Sequence, residues 1–312
     1  MNERPIRIGT RGSKLALLQA EEVRDRLRAA HPGLAAPGAL EIVEVRTEGD
    51  RVQDRALAEI GGKGLFTKEI VAALEDGRVD MAVHSMKDVP TWLADGMVIT
   101  CILESADVRD AFVAPRARSL DDLPRGALLA SASVRRLGQA LNRRPDLVPT
   151  LIRGNVLTRL RKLDEGQADA TFLALAGLDR LGLADRATAI LSPEEMLPAV
   201  AQGAIGVEVR ADDARLRDLL AAIDHRPTHL RVAAERAVLH ALDGSCRTPI
   251  GCLAEIDRAG AMSLRALVAM PDGSAIWRAE RRGGAAEGEA MGRDAGAELR
   301  SSADPSLFDS AS

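Results

Sequence analysis

The spacing of apolar and polar positions divides the chain into alternating strand and helix segments. Residues 5–10 read as a strand. Ser13 then stands where a helix N-cap is favoured, ahead of a helix to about Ala30. Its apolar positions Leu15, Leu18, Val23 and Leu27 step at roughly helical spacing. Residues 40–45 form a second strand, 66–76 a helix stopped by Gly77, and 79–84 a third strand. That third strand is apolar at most positions, as a buried parallel strand should be.

The middle of the chain repeats the recipe. Strands are expected at 126–131, 148–152 and 169–174, each followed by a helix: 133–143, 155–165 and a short one. Residues 204–210 read as another strand and 212–222 as a helix. After His225-Arg226-Pro227 the pattern changes. A helix over 228–242 meets a loop at 244–249, and two or three strands follow between 251 and 281. Pro271-Asp272-Gly273 makes a turn among them. A last helix spans about 285–300, and the tail 301–312 is expected to be disordered.

One sequence echo supports two similar halves. Leu74-Glu75-Asp76-Gly77-Arg78-Val79-Asp80 and Leu163-Asp164-Glu165-Gly166-Gln167-Ala168-Asp169 each read as helix end, glycine cap and buried strand. Two α/β domains facing each other would enclose a cleft, and ligands of open α/β sheets bind at the carboxyl ends of strands.

Composition narrows the class. A chain of 312 residues suggests two or three domains, and 46% apolar residues supply sizeable cores. No apolar run approaches the ~18 residues of a membrane span. The start, Met1-Asn2-Glu3-Arg4-Pro5, has no signal-peptide core, so a cytoplasmic protein is expected. The three cysteines, Cys101, Cys246 and Cys252, fit no zinc spacing, and neither a metal nor a disulfide is expected. A net charge of −4, no Tyr, four Phe and two Trp argue against nucleic acid as partner. No long heptad pattern is present, and a monomer is expected.

The cations stand out. Of the 42 Lys and Arg only five are Lys, which leaves 37 Arg. Most reflect composition, and position decides which carry function. Thr10-Arg11-Gly12-Ser13 opens a helix, where free N–H groups and the helix dipole favour an anion. Ser131-Ala132-Ser133-Val134-Arg135-Arg136 and Arg153-Gly154-Asn155, with Thr158 and Arg159 beyond, lie between strand and helix. The planar fork of Arg suits carboxylates. The expectation is an arginine cluster for a substrate rich in carboxylates.

His84-Ser85-Met86-Lys87-Asp88-Val89-Pro90 falls at the end of a buried strand, where polar side chains are costly without partners. In an extended segment Lys87 and Asp88 would point opposite ways, one holding an anion and the other acting as acid or base. Gly61-Gly62-Lys63-Gly64 lacks P-loop spacing and reads as a lid loop carrying Lys63, with Phe66 just beyond. Cys246 lies in a polar loop, whereas Cys101 and Cys252 sit in apolar surroundings and read as packing. No triad partners for a cysteine hydrolase are evident.

Taken in order, these segments closely resemble the porphobilinogen deaminase (hydroxymethylbilane synthase) family. The matching stretches are 10–13, 61–66, 84–90, 133–136, 153–156, 201–204 and 244–246. The resemblance implies two α/β domains like those of periplasmic binding proteins and a small C-terminal α+β domain. Their expected limits are 1–103 with 204–221, then 109–197, then 226–300. It implies a dipyrromethane cofactor joined by a thioether to Cys246, on which four porphobilinogen molecules are added with loss of ammonia. Asp88 would be catalytic, assisting departure of the amine and stabilising the cation it leaves. Lys87, Ser85, Ser133, Arg135, Arg136 and Asp88 would hold the cofactor. Arg11, Ser13, Arg153, Arg159 and Arg180 would hold incoming substrate or the growing chain. Two departures from the family pattern are Glu59, where some relatives carry Lys, and Ala132, which replaces a common hydroxyl residue. The rival readings are a non-catalytic binding protein for a polycarboxylate and a cysteine-dependent transferase without a pyrrole cofactor.

Overall fold

The computed structural model describes residues 4–47, 67–244 and 248–308. In chain order the elements begin β1 (Ile6–Arg11), α1 (Lys14–Ala30), β2 (Leu40–Val45), α2 (Lys68–Glu75), β3 (Met81–Ser85), β4 (Met97–Ile102) and β5 (Asp110–Val113). Next come β6 (Leu128–Ala130), α3 (Val134–Arg143), β7 (Val148–Thr150), α4 (Val156–Asp164), β8 (Ala170–Ala174), α5 (Leu175–Arg180) and β9 (Ala189–Ile190). The chain closes with β10 (Ile205–Arg210), α6 (Ala214–Ala221), α7 (Arg226–Ala241), β11 (Ile250–Ile256), β12 (Ala261–Ala269), β13 (Ile276–Gly284) and α8 (Gly288–Ser302).

The chain divides into two compact units. The first carries a five-stranded sheet of order β2-β1-β3-β10-β4. β3 is parallel to β1 and antiparallel to β10, so the strand read as parallel is parallel on one side only. Helix α1 covers one face through Ala20, Val23 and Leu27, packed with Ile8, Val83 and Val207. Helix α2 covers the other through Ile70, Ala73 and Leu74, against Val45, Val79 and Ala82.

The second unit contains a sheet of order β7-β6-β8-β5-β9 and the C-terminal sheet β11-β12-β13. Its five-stranded sheet repeats the spatial strand order of the first, but the chain enters it differently: β5, the counterpart of β10, comes first in its sheet, whereas β10 comes last in the other. The sequence echo lies at equivalent places in both. Gly77 and Gly166 take φ of 71° and 75°, the left-handed conformation that ends a helix without Cβ strain. Asp80 then bonds Arg7 N at 2.8 Å, and Asp169 bonds Leu128 N at 2.8 Å, so each aspartate ties its central strand to the neighbour.

In the C-terminal part α8 packs closely on α7. A Cβ at Gly292 would collide with the carbonyl oxygen of Ala234. Strands β11 to β13 are antiparallel throughout. Residues 301–308, the described part of the segment expected to be a disordered tail, take regular structure. Ser301 and Ser302 complete α8, Ala303 is buried, Asp304 caps a short turn at Pro305–Leu307, and the Arg300 guanidinium stands 5.4 Å from the Phe308 ring centre. Among the described residues, no helix is long and apolar enough to cross a membrane.

Candidate active site

In the first unit, two strand ends and one helix start converge. β1 delivers Thr10 and Arg11 to the N-terminus of α1, whose cap is Ser13, its Oγ accepting from Ala16 N at 3.3 Å. The N-cap expectation holds because Ser13 keeps an extended backbone while its oxygen satisfies a helix donor. β3 delivers Ser85, whose Oγ accepts from Gln19 Nε2 at 2.9 Å.

Beyond Ser85 the chain turns at once. Met86–Asp88 form a single 3-10 turn, closed by Val89 N to Met86 O at 3.2 Å. The extended alternation expected for Lys87 and Asp88 is therefore wrong. Met86 buries its side chain over Gly206, and that burial bends the segment. Both Lys87 and Asp88 are left exposed on the turn.

Arg11, Ser13, Gln19, His84, Ser85 and Asp88 line one small, open pocket. Arg11 Nη1 stands 3.9 Å from Asp88 Oδ2, with side chains 23% and 37% exposed. At that distance and exposure the ion pair is worth little to stability. Behind the pocket, His84 Nε2 lies 2.9 Å from Glu208 Oε2, both buried. Glu208 and Gln19 were not singled out from sequence. Each acts through a partner brought close only by the sheet.

In the second unit, α3 begins on Ser133, whose Oγ accepts from Arg136 N at 3.4 Å. Arg135 and Arg136 are not displayed to solvent. Both are buried on Asp110, with Nη2 to carboxylate distances of 2.8 and 2.7 Å. Arg135 Nη1 also donates to Leu197 O at 2.6 Å, and Arg136 Nη1 to Phe172 O at 2.9 Å. Burial pushes the Asp110 carboxyl upward, but the two guanidiniums outweigh it and hold it well below the usual carboxylate range.

The next strand end behaves differently. Asn155 caps α4, accepting from Thr158 N at 2.9 Å. Arg159 Nε donates to Gly154 O at 2.9 Å, and Arg180 Nη2 to Gly203 O at 3.2 Å. Arg153 is only 7% exposed, and its Nη1 has no hydrogen-bond partner. A buried guanidinium nitrogen without an acceptor is costly.

Cys246, Lys63 and Phe66 lie outside the described residues, as does Glu59. Cys101 and Cys252 are buried, which raises the Cys101 thiol to about 12 and the Cys252 thiol well above normal. Such thiols are inert. The described residues hold no group of three or more metal-ligating side chains.

The first unit thus sets one carboxylate, Asp88, in a pocket with Arg11 and the N-terminus of a helix. Comparison with known proteins makes this specific. Residues 6–218 match the family described as "Porphobilinogen deaminase, dipyromethane cofactor binding domain", and residues 229–301 match "Porphobilinogen deaminase, C-terminal domain". The porphobilinogen deaminase of Paracoccus denitrificans is 58% identical over 98% of this chain and 97% of its own. The chloroplastic enzyme of Oryza sativa is 54% identical over 98% of this chain and 86% of its own. The chain belongs to the porphobilinogen deaminase family. Among solved structures, a periplasmic substrate-binding protein of an ABC transporter from Coxiella burnetii is 18% identical, with a TM-score of 0.43 over 74% of this chain and 96% of that one.

Proposed function

We propose that this enzyme joins four porphobilinogen molecules head to tail, releases an ammonia at each addition, and yields the linear tetrapyrrole hydroxymethylbilane. The observation that carries this reading is the pocket that brings Asp88 together with Arg11, Ser13 and Ser85. It supplies one carboxylate beside anion-binding groups, which is what the chemistry asks for.

Each pyrrole of the substrate bears an acetate and a propionate. Charge-assisted hydrogen bonds from Arg contribute roughly 1.5–3 kcal/mol each. Arg11 and the helix start at Ser13 would receive one carboxylate. Arg153 offers its unpartnered Nη1 to another, with Arg159 beside it. When the aminomethyl carbon–nitrogen bond breaks, its electron pair leaves with nitrogen and positive charge spreads over the ring. The Asp88 carboxylate stabilises that charge and hydrogen-bonds the pyrrole N–H; before departure it handles the proton of the amine.

The residues fit a dipyrromethane. Arg136 Nε and Gln202 Oε1 are buried without partners, one a donor for a carboxylate and the other an acceptor for a pyrrole N–H. When bound, that group supplies the pyrrole end from which the chain grows. Ser133, Arg135, Arg136, Lys87, Ser85 and Asp88 would hold it, and Cys246 would carry it through a thioether. We retain three domains, a cytoplasmic location and a monomer as parts of the proposal.

Mass spectrometry of the intact protein, made in cells that produce porphobilinogen, tests the reading. An adduct of two pyrrole units on Cys246 is expected. An unmodified chain overturns it.

A further inference from the structure

We infer that Asp110 is a positioning residue for the Arg135–Arg136 pair, setting both its geometry and its net charge; this rests on the reading of those arginines as holders of pyrrole carboxylates. Asp110 begins β5 and is fully buried. Its Oδ2 accepts from Arg135 Nη2 at 2.8 Å. Its Oδ1 accepts from Arg136 Nη2 at 2.7 Å and from Gln202 Nε2 at 2.9 Å. Three donors from two other segments thus meet on one carboxylate.

Neighbouring residues on a helix diverge by about 100° around its axis. Arg135 and Arg136, at the start of α3, would not bring their tips together unaided, and their charges repel. Asp110 draws both ends inward. Each fork is then fixed twice, once on Asp110 and once on a backbone carbonyl, Leu197 O or Phe172 O. Two cations against one anion leave one net positive charge in a buried place. That is a match for one ligand carboxylate. Arg136 Nε is the donor of the pair left buried and unpartnered.

The third tie extends the network. Gln202 Nε2 also donates to Val108 O at 2.8 Å. Its neighbour Ala201 is held by Glu235, whose Oε2 accepts from Ala201 N at 2.6 Å. Ala201 takes a φ of 57°, a left-handed backbone directly before Gln202.

The full chain, expressed in cells that make porphobilinogen, serves for the test. Fold is followed by circular dichroism and the melting transition, and the fraction bearing the two-pyrrole adduct by intact mass. Asp110→Asn should stay folded, yet the adduct per folded molecule should fall by about tenfold or more, the scale of one charge-assisted hydrogen bond. Full loading of a folded Asp110→Asn chain overturns the inference. If that variant does not fold, Asp110→Glu carries the test, since it keeps the charge and displaces the oxygens by one methylene. It should load more slowly, and loading at the wild-type rate overturns the inference in that case. A wild-type chain without adduct would instead sink the functional reading itself.

Discussion

Glu235→Gln should change how stability depends on pH. Glu235 is buried on α7, and its two oxygens accept from Ala201 N at 2.6 Å and Ala254 N at 2.9 Å. Burial raises its carboxyl to about 7, against the pull of both N–H groups and of Arg231. The ordinary value is 4.5, so the folded protein holds this proton more tightly than the unfolded chain. The stability so gained is fully present below about pH 4.5 and is lost as pH rises through about 7. A difference of 2.5 units is worth about 3 kcal/mol. Gln has the same shape and no proton to lose. It also sets an NH2 group against one backbone N–H, which costs about 1–3 kcal/mol. The variant should therefore be less stable than the parent at acid pH and regain about 3 kcal/mol on it by about pH 8. Trp277 on β13 belongs to the same unit and can report its unfolding in urea, in a Trp92→Phe background. Curves of stability against pH that run parallel for the two forms would refute the reasoning.

Three further outcomes are expected. Asp88→Ala should keep the cofactor but lose roughly 10²-fold in turnover, the scale of a positioned acid; near-normal turnover removes Asp88 from the centre of the mechanism. Arg153→Leu should stall chain growth while the melting temperature holds or rises, because Nη1 is buried without a partner; a collapsed melting transition would make the residue structural. Gly292→Ala should destabilise by about 1–3 kcal/mol despite better helix propensity, because α8 must move off the Ala234 carbonyl; an unchanged melting temperature would show that α7 and α8 separate freely.

The fold was legible where local rules suffice. Ser13, Ser133 and Asn155 were readable as helix starts because an N-cap is a contact within four residues, and all three oxygens bond as that rule requires. Gly77 and Gly166 were readable as helix ends for the same reason. Strands β4, β5 and β9 were missed. β5 has four residues and β9 two, all four of the former are buried, and such runs carry no periodicity to read. The turn at Met86–Asp88 was misread because its cause, burial of Met86 over Gly206, comes from a strand 120 residues away.

The arginines mark the limit most clearly. Arg135, Arg136 and Arg153 look alike in the sequence, each between a strand and a helix. The first two are held on Asp110 and backbone carbonyls, with only Arg136 Nε left over, whereas no acceptor meets the buried Nη1 of Arg153. Asp110 sits on a strand that the pattern did not reveal, so its claim on two arginines was invisible. A guanidinium already bound to a buried carboxylate cannot exchange it for a ligand at low cost, whereas a buried nitrogen with no acceptor gains from any carboxylate that arrives. In the proposed function Arg135 and Arg136 would then be the fixed part of the carboxylate site and Arg153 the open part. On that proposal a chain gaining two carboxylates with every pyrrole would use both, since a site made only of buried cations without partners would destabilise the fold that displays it.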